Sequence, residues 1–166
     1  MSVSGVKTTG EGLAAILEAM GMLSETEVLV GIPHGESRDG GISNAEIGYL
    51  LETGSPSMNL PPRPHLVPGV EQVQEFVGIQ LTKAVDAAFV GNKQRMYKYL
   101  ESAGMKATMS VKRYITTGEF EALAPWTINA RKRRGKKSEK PLIDTSQMRN
   151  AHTYVIMHKG KEVVSA

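Results

Sequence analysis

The stretch Pro141-Leu142-Ile143-Asp144-Thr145-Ser146-Gln147-Met148-Arg149-Asn150-Ala151-His152-Thr153-Tyr154-Val155-Ile156-Met157 decides the fold. A short apolar run, a polar turn and then an alternating, β-branched run mark a shaped connection inside a packed domain rather than a disordered tail. Residues 153 to 158 and 162 to 165 flank Lys159-Gly160-Lys161, which predicts a terminal β-hairpin with Gly in the turn. The earlier run Thr26 to Ile32, closed by Pro33, reads as one more strand. Together they predict a small antiparallel sheet, which needs helices to cover it: an α+β domain.

The helices are legible upstream. Leu13, Ile16, Leu17 and Met20 recur at helical spacing between Gly10 and Met22, so they are expected to form the apolar face of a short helix ended by Gly21. Ser43-Asn44-Ala45-Glu46 fits a capping box and starts a helix expected over 44 to 52, with Gly54 and Pro56 stopping it. Apolar residues from Val70 to Ala88 predict one long helix over about 68 to 90. After Gly91-Asn92, a stripe from Met96 to Tyr114 predicts a second, over about 93 to 116. Its small residues Ala103, Gly104 and Ala107 would let the partner of an antiparallel helical hairpin approach closely. Leu123 to Thr127 begins a connector with room for one helical turn.

Between the capped helix and the hairpin lies Leu60-Pro61-Pro62-Arg63-Pro64-His65-Leu66-Val67-Pro68-Gly69. Such a segment could be a polyproline ligand. Its place between two predicted helices favours an internal rigid turn, since each X-Pro bond keeps the preceding residue out of the helical region.

With 166 residues the chain fits one domain, 1 to 166, that can bury a core without staples. Zero cysteines exclude a disulfide scaffold, a thiolate zinc site and cysteine nucleophile chemistry. The first residues lack an apolar core behind a charged start and no later stretch is apolar enough to span a bilayer, so a soluble, non-secreted protein is expected.

Lys and Arg number 20 against 17 Asp and Glu, a formal +3 that is mild for a dedicated nucleic-acid binder. The basicity is local. Arg131, Lys132, Arg133, Arg134, Lys136, Lys137 and Lys140 form one block, expected as a flexible loop over about 129 to 140. It could grip phosphates, but no aromatic is interleaved for base stacking, and a solvated loop or a contact with DNA or an acidic partner inside an assembly are the other readings.

Catalytic signatures are weak. His34, Glu36 and Asp39 could hold a metal or act as an acid–base set, but their spacing matches no ligand pattern and a solvated loop is preferred. His65, His152 and His158 are scattered and form no constellation in sequence. Neither a nucleophile elbow nor a phosphate-binding Gly-rich signature occurs. The expectation is therefore a non-enzyme with no cofactor.

The order of these features resembles the tail-completion and neck (head–tail joining) family of long-tailed bacteriophages, with relatives of the lambda-type minor tail protein Z and the small HK97-type joining proteins. In that family an early strand precedes a helix ending near a Glu-x-Gly turn, similar to Glu52-Thr53-Gly54. A proline–arginine cassette follows, similar to Pro62-Arg63-Pro64-His65-Leu66, with His65 where Phe is usual. Then come long helices, a Pro-x-Thr element like Pro125-Trp126-Thr127 with basic residues after it, and a Pro-Leu-Ile-Asp-Thr-Gly-x-Leu/Met pattern, here Pro141 to Met148. Ser146 replaces the usual Gly, and Ala151 sits where Ser is common; Ser adopts positive φ less readily than Gly. The matching elements run in order from about Glu27 to Val155.

The resemblance implies a structural virion protein of the neck or upper tail, assembled in the host bacterial cytoplasm. It would form a ring, six copies being the family expectation, between a head connector or stopper protein and the tail terminator or tail tube. Genomic DNA would pass through the lumen with weak contact at most, and no membrane is involved. Arg63, Pro64, His65, Asp144, Thr145 and Arg149 are the expected interaction or structural residues, with Asp144 expected to cap the turn at Gln147 through backbone N–H groups. A tail terminator or minor tail-assembly protein is the nearest alternative; a DNA-binding accessory protein is the alternative of another class.

Overall fold

The structure, a computed structural model, describes residues 10 to 35 and 41 to 165. It is an α+β assembly in which a three-stranded antiparallel sheet packs against one long helix. Along the chain run α1 (Gly10–Ser24), β1 (Thr26–Gly31), α2 (Asn44–Thr53), a 3-10 turn (Pro56–Met58), α3 (Leu66–Glu71), α4 (Gln74–Phe89), α5 (Lys93–Thr117), α6 (Pro125–Arg133), α7 (Gln147–Ala151), β2 (Thr153–His158) and β3 (Lys161–Ser165). Strands distant in sequence are neighbours in space: β1 pairs with β2 in register Thr26↔His158 through Gly31↔Thr153, and β3 lies on the far side of β2. Lys159 and Gly160 both take positive φ, 53° and 70°, which is what a two-residue hairpin turn of the right twist requires.

Helix α5 is the spine. At 25 residues it is about 38 Å long, and it buries Met96, Leu100, Ala103, Gly104, Ala107, Val111 and Ile115 along one side. Two clusters sit on it. Near its start, Met96 and Leu100 meet Ala84, Ala87 and Ala88 of α4, Ala19 of α1, and Tyr154 and Ile156 of β2. Near its end, Val111 and Ile115 meet Leu142 and Met148, with Ile47, Leu51, Leu66 and Val70 packed around them.

Several expectations change. Helix α1 continues through Gly21 to Ser24, because the Ser24 and Thr26 hydroxyls donate to the carbonyls of Gly21 and Met22 and satisfy its last turn. More consequential, its apolar face is outside: Leu13, Ile16, Leu17 and Met20 are exposed, and Ala19, backed by Met22 and Leu23, does the packing. The single helix expected over 68 to 90 is two. The chain tightens where Val73 N–H bonds to the Val70 carbonyl, and α4 restarts at Gln74. Gly104 serves the sheet rather than the α4–α5 hairpin: a Cβ there would lie 2.6 Å from the Tyr154 ring. Residues 129 to 133 belong to α6 and are helical, not loop.

The capping box forms as read. Ser43 N–H donates to Glu46 Oε2 at 2.7 Å and Glu46 N–H to Ser43 Oγ at 3.1 Å. These bonds hold the Glu46 carboxyl below its usual pKa.

Candidate functional site

The two motif segments, roughly 80 residues apart in sequence, meet in space. The turn 53 to 62 and the proline cassette form one wall of an open groove of about 870 Å³; α6 and residues 141 to 148 form the other. Leu51, Met58, Leu60, Leu123 and Trp126 give it an apolar lining, with Arg63 and Arg131 at its base.

The cassette is an internal turn. Arg63 N–H bonds to the Leu51 carbonyl, and its buried guanidinium donates from Nε to the Glu121 carbonyl at 2.8 Å and from Nη2 to that of Ala122 at 3.1 Å. Burial, with the nearby Arg131 charge, pulls its pKa below the ordinary arginine value. Pro64 is exposed.

Glu52 is the clamp at the end of the cassette. Its carboxylate accepts from the backbone N–H groups of His65 (2.7 Å), Leu66 (2.9 Å) and Val67 (3.1 Å), the unpaired donors at the start of α3. Burial alone would raise its pKa, but the three donors together outweigh it and hold the carboxyl below the usual range. The His65 Nδ1 lies 3.1 Å from both Glu52 Oε2 and the Arg63 carbonyl; both only accept, so this nitrogen carries the proton.

His65 and His152, read from sequence as scattered, are neighbours. Both are buried, and their rings meet edge to face at 5.3 Å and 82°. His152 Nδ1 donates to the Met148 carbonyl at 3.0 Å. Burial, then the His65 and Lys112 charges, push its pKa down to about 4 against the opposing pull of the Met148 and Arg149 backbone. The third, His158, bonds through Nδ1 with the Thr26 hydroxyl.

On the facing wall Arg131 is only 6% exposed, which removes it from any DNA or acidic-partner contact set. Nη1 donates to the carbonyls of Ser138, Lys140 and Ile143, and Nη2 to that of Pro141, so one guanidinium folds the whole loop around itself. Asp144 does not cap α7. Its carboxylate faces Arg131 Nε at 3.8 Å and Arg134 Nη1 at 3.6 Å, drawn by two guanidiniums instead of the Gln147 turn. The N-cap position is Ser146, in the left-handed region at φ 61°, ψ 1°, without a side-chain cap bond. Thr145 Oγ1 reaches Gln147 Oε1 at 3.2 Å. Arg149 leans on Asn150 and Thr116, and Lys140 Nζ caps the end of α5 at the Thr116 carbonyl, 2.7 Å away.

The basic block thus divides. Lys132 pairs with Glu139 at 2.9 Å and Arg134 with Asp144; Arg133, Lys136 and Lys137 have no ion pair among the described residues.

No family model, curated protein or solved structure matches the chain.

The structure brings Arg63, Asp144 and Thr145, expected from sequence as interaction or structural residues, together with Arg131, expected as a DNA or acidic-partner contact, around one groove; Glu52 and His152 were missed as its supports. The available signal for Glu52 was its position thirteen residues before His65, the N-cap of a helix whose first turn carries no acidic side chain of its own. Among the described residues no cluster of His, Asp and Glu could hold a metal ion; Glu36 and Asp39 lie outside them, and His34 is exposed. No described helix is long and apolar enough to cross a membrane.

Proposed function

We propose that this chain is a structural subunit of a tailed-phage virion, a tail-completion or neck protein that forms a ring joining the head connector to the tail. The ordered motif resemblance suggests the class. The observation that carries the reading is how the motif residues spend their polar groups: Arg63 and Arg131 on six backbone carbonyls, Glu52 on three backbone N–H groups. Side chains committed in this way fix the shape of a surface, here a groove with an exposed Trp126 on its edge. A shaped apolar surface is suited to binding another protein.

A ring subunit needs two different faces that fit each other. Charge is uneven along the chain, with the basic block near one end of α5 and no Lys or Arg between residues 10 and 32. The test is electron microscopy of particles made when this reading frame is deleted from its parent phage or prophage. Filled heads beside separate tails of normal length are expected. Overlong tails would assign a terminator instead, and intact virions would overturn the reading.

A further inference from the structure

Helix α1 has an apolar face that the fold leaves open. Leu13, Ile16, Leu17 and Met20, spaced i, i+3, i+4 and i+7, are between 46% and 58% exposed, while the helix packs through the flank that carries Ala19, with Met22 and Leu23. That spacing is the anchor pattern of an amphipathic helix that docks in a groove. The groove between the proline cassette and α6 offers about 870 Å³ lined by Leu51, Met58, Leu60, Leu123 and Trp126.

Charge matches the two. Residues 12 to 32 carry Glu18, Glu25 and Glu27 with no Lys or Arg, and residues 125 to 140 carry seven Lys and Arg, of which Arg131 is buried, against Glu139 alone. Glu18 and Glu25 meet Lys93 and Lys159 in exposed pairs of the kind that give way cheaply. Arg133, Lys136 and Lys137, which lie at and just beyond the end of the α6 wall, have no such pair among the described residues, while Lys140, also without one, spends its Nζ on the Thr116 carbonyl.

Position makes the contact intermolecular. Helix α1 packs in the cluster at Met96 and Leu100, and the groove is built on the cluster at Ile115; nineteen residues of α5 separate Met96 from Ile115, about 28 Å of helix. A copy's own α1 is therefore held at the wrong end of the spine to fill its own groove.

We infer that the occupant is a second copy of this chain: α1 of one copy lies in the cassette–α6 groove of the next. The contact is heterologous, so it propagates in one direction and closes into a ring when the rotation allows. It rests on the ring-subunit reading for its context and adds to it which faces meet.

The cysteine-free sequence makes the test direct. Two full-length variants, Leu17→Cys on α1 and Met58→Cys in the groove, are mixed at high concentration and joined with a short bis-maleimide. Both positions are exposed, and unchanged thermal unfolding checks the fold. The expected product is the mixed dimer that joins one variant to the other, with little of either variant joined to itself. A third variant, Leu17→Asp, should weaken self-association at least about tenfold by sedimentation. A product dominated by the Leu17→Cys variant joined to itself, or a chain still monomeric at about 1 mM, where even a dissociation constant of that order would show, overturns the inference. Rings that survive Leu17→Asp would sink this contact and keep the ring. Mixed cross-links in open filaments, with intact virions on deletion, would keep the contact and sink the neck assignment.

Discussion

Arg131 and its neighbours show how little a run of like charges says about each member. Arg131 is buried under four carbonyl acceptors, and removing it leaves those groups without their charged donor. Arg131→Ala should cost about 2–4 kcal/mol, measured by denaturant unfolding. Replacing Arg133, Lys136 and Lys137 together with Ser should leave that midpoint nearly unchanged and lower the yield of infectious particles. Equal losses of stability in both variants would show that the block is one structural unit. Ser146 carries a separate prediction, because a non-glycine residue at φ 61° is strained. Ser146→Gly should stabilise by about 0.5–1 kcal/mol, the relief of that strain less the extra freedom Gly has when unfolded. At this scale the sequence revealed what is local. The Ser43–Glu46 box could be read because all its partners lie within four positions. The Asp144 assignment failed because two arginines ten and thirteen residues back compete for it, and nothing in the spacing shows that they fold over it.

At the scale of elements, the close contacts are made by glycines on faces where a side chain would not fit. Gly69 of α3 brings its backbone to α5, where an added Cβ would lie 2.8 Å from Val111 Cα; Gly104 does the same for β2 at the Tyr154 ring. The two sites differ in what can give way. Gly69→Ala meets backbone and must push α3 off the spine, whereas Gly104→Ala meets a ring that is itself buried at 5% exposure. Both should destabilise, by about 1–3 kcal/mol each, with Gly69→Ala the larger as thermal unfolding would show. The existence and type of α5 and of the terminal hairpin followed from periodicity, whereas α6 and α7 were read as a connector and a turn. The break between α3 and α4 did not, because Gln72 and Val73 carry no Gly or Pro and the apolar stripe runs on across them. Nor did the orientation of α1. A periodic apolar face tells that a helix has one, and only the packing of Ala19 tells that a neighbouring flank is the side turned inward.

For the whole molecule, the buried junction of Glu52, His65 and His152 ties the proline cassette to the final sheet, so its protonation should be felt as global stability. His152 titrates near pH 4 when folded and near its ordinary 6.5 when unfolded. Between those values the unfolded chain binds more protons, so stability is complete above about pH 6.5 and falls as the pH drops toward 4. The displacement of about 2.5 pH units corresponds to roughly 3 kcal/mol at its full extent. Glu52, whose folded pKa is depressed, acts in the same direction at lower pH: its contribution is present above the unfolded value of 4.5 and lost as the pH falls through the folded one. Unfolding free energy measured from pH 7.5 to 4 should therefore slope downward before the carboxylates titrate. His152→Gln keeps a side chain able to donate to the Met148 carbonyl and removes the titration. Whatever its stability at pH 7.5, that variant should lose the slope between 6.5 and 5, and a slope equal to that of the parent chain would show that His152 is not the group responsible.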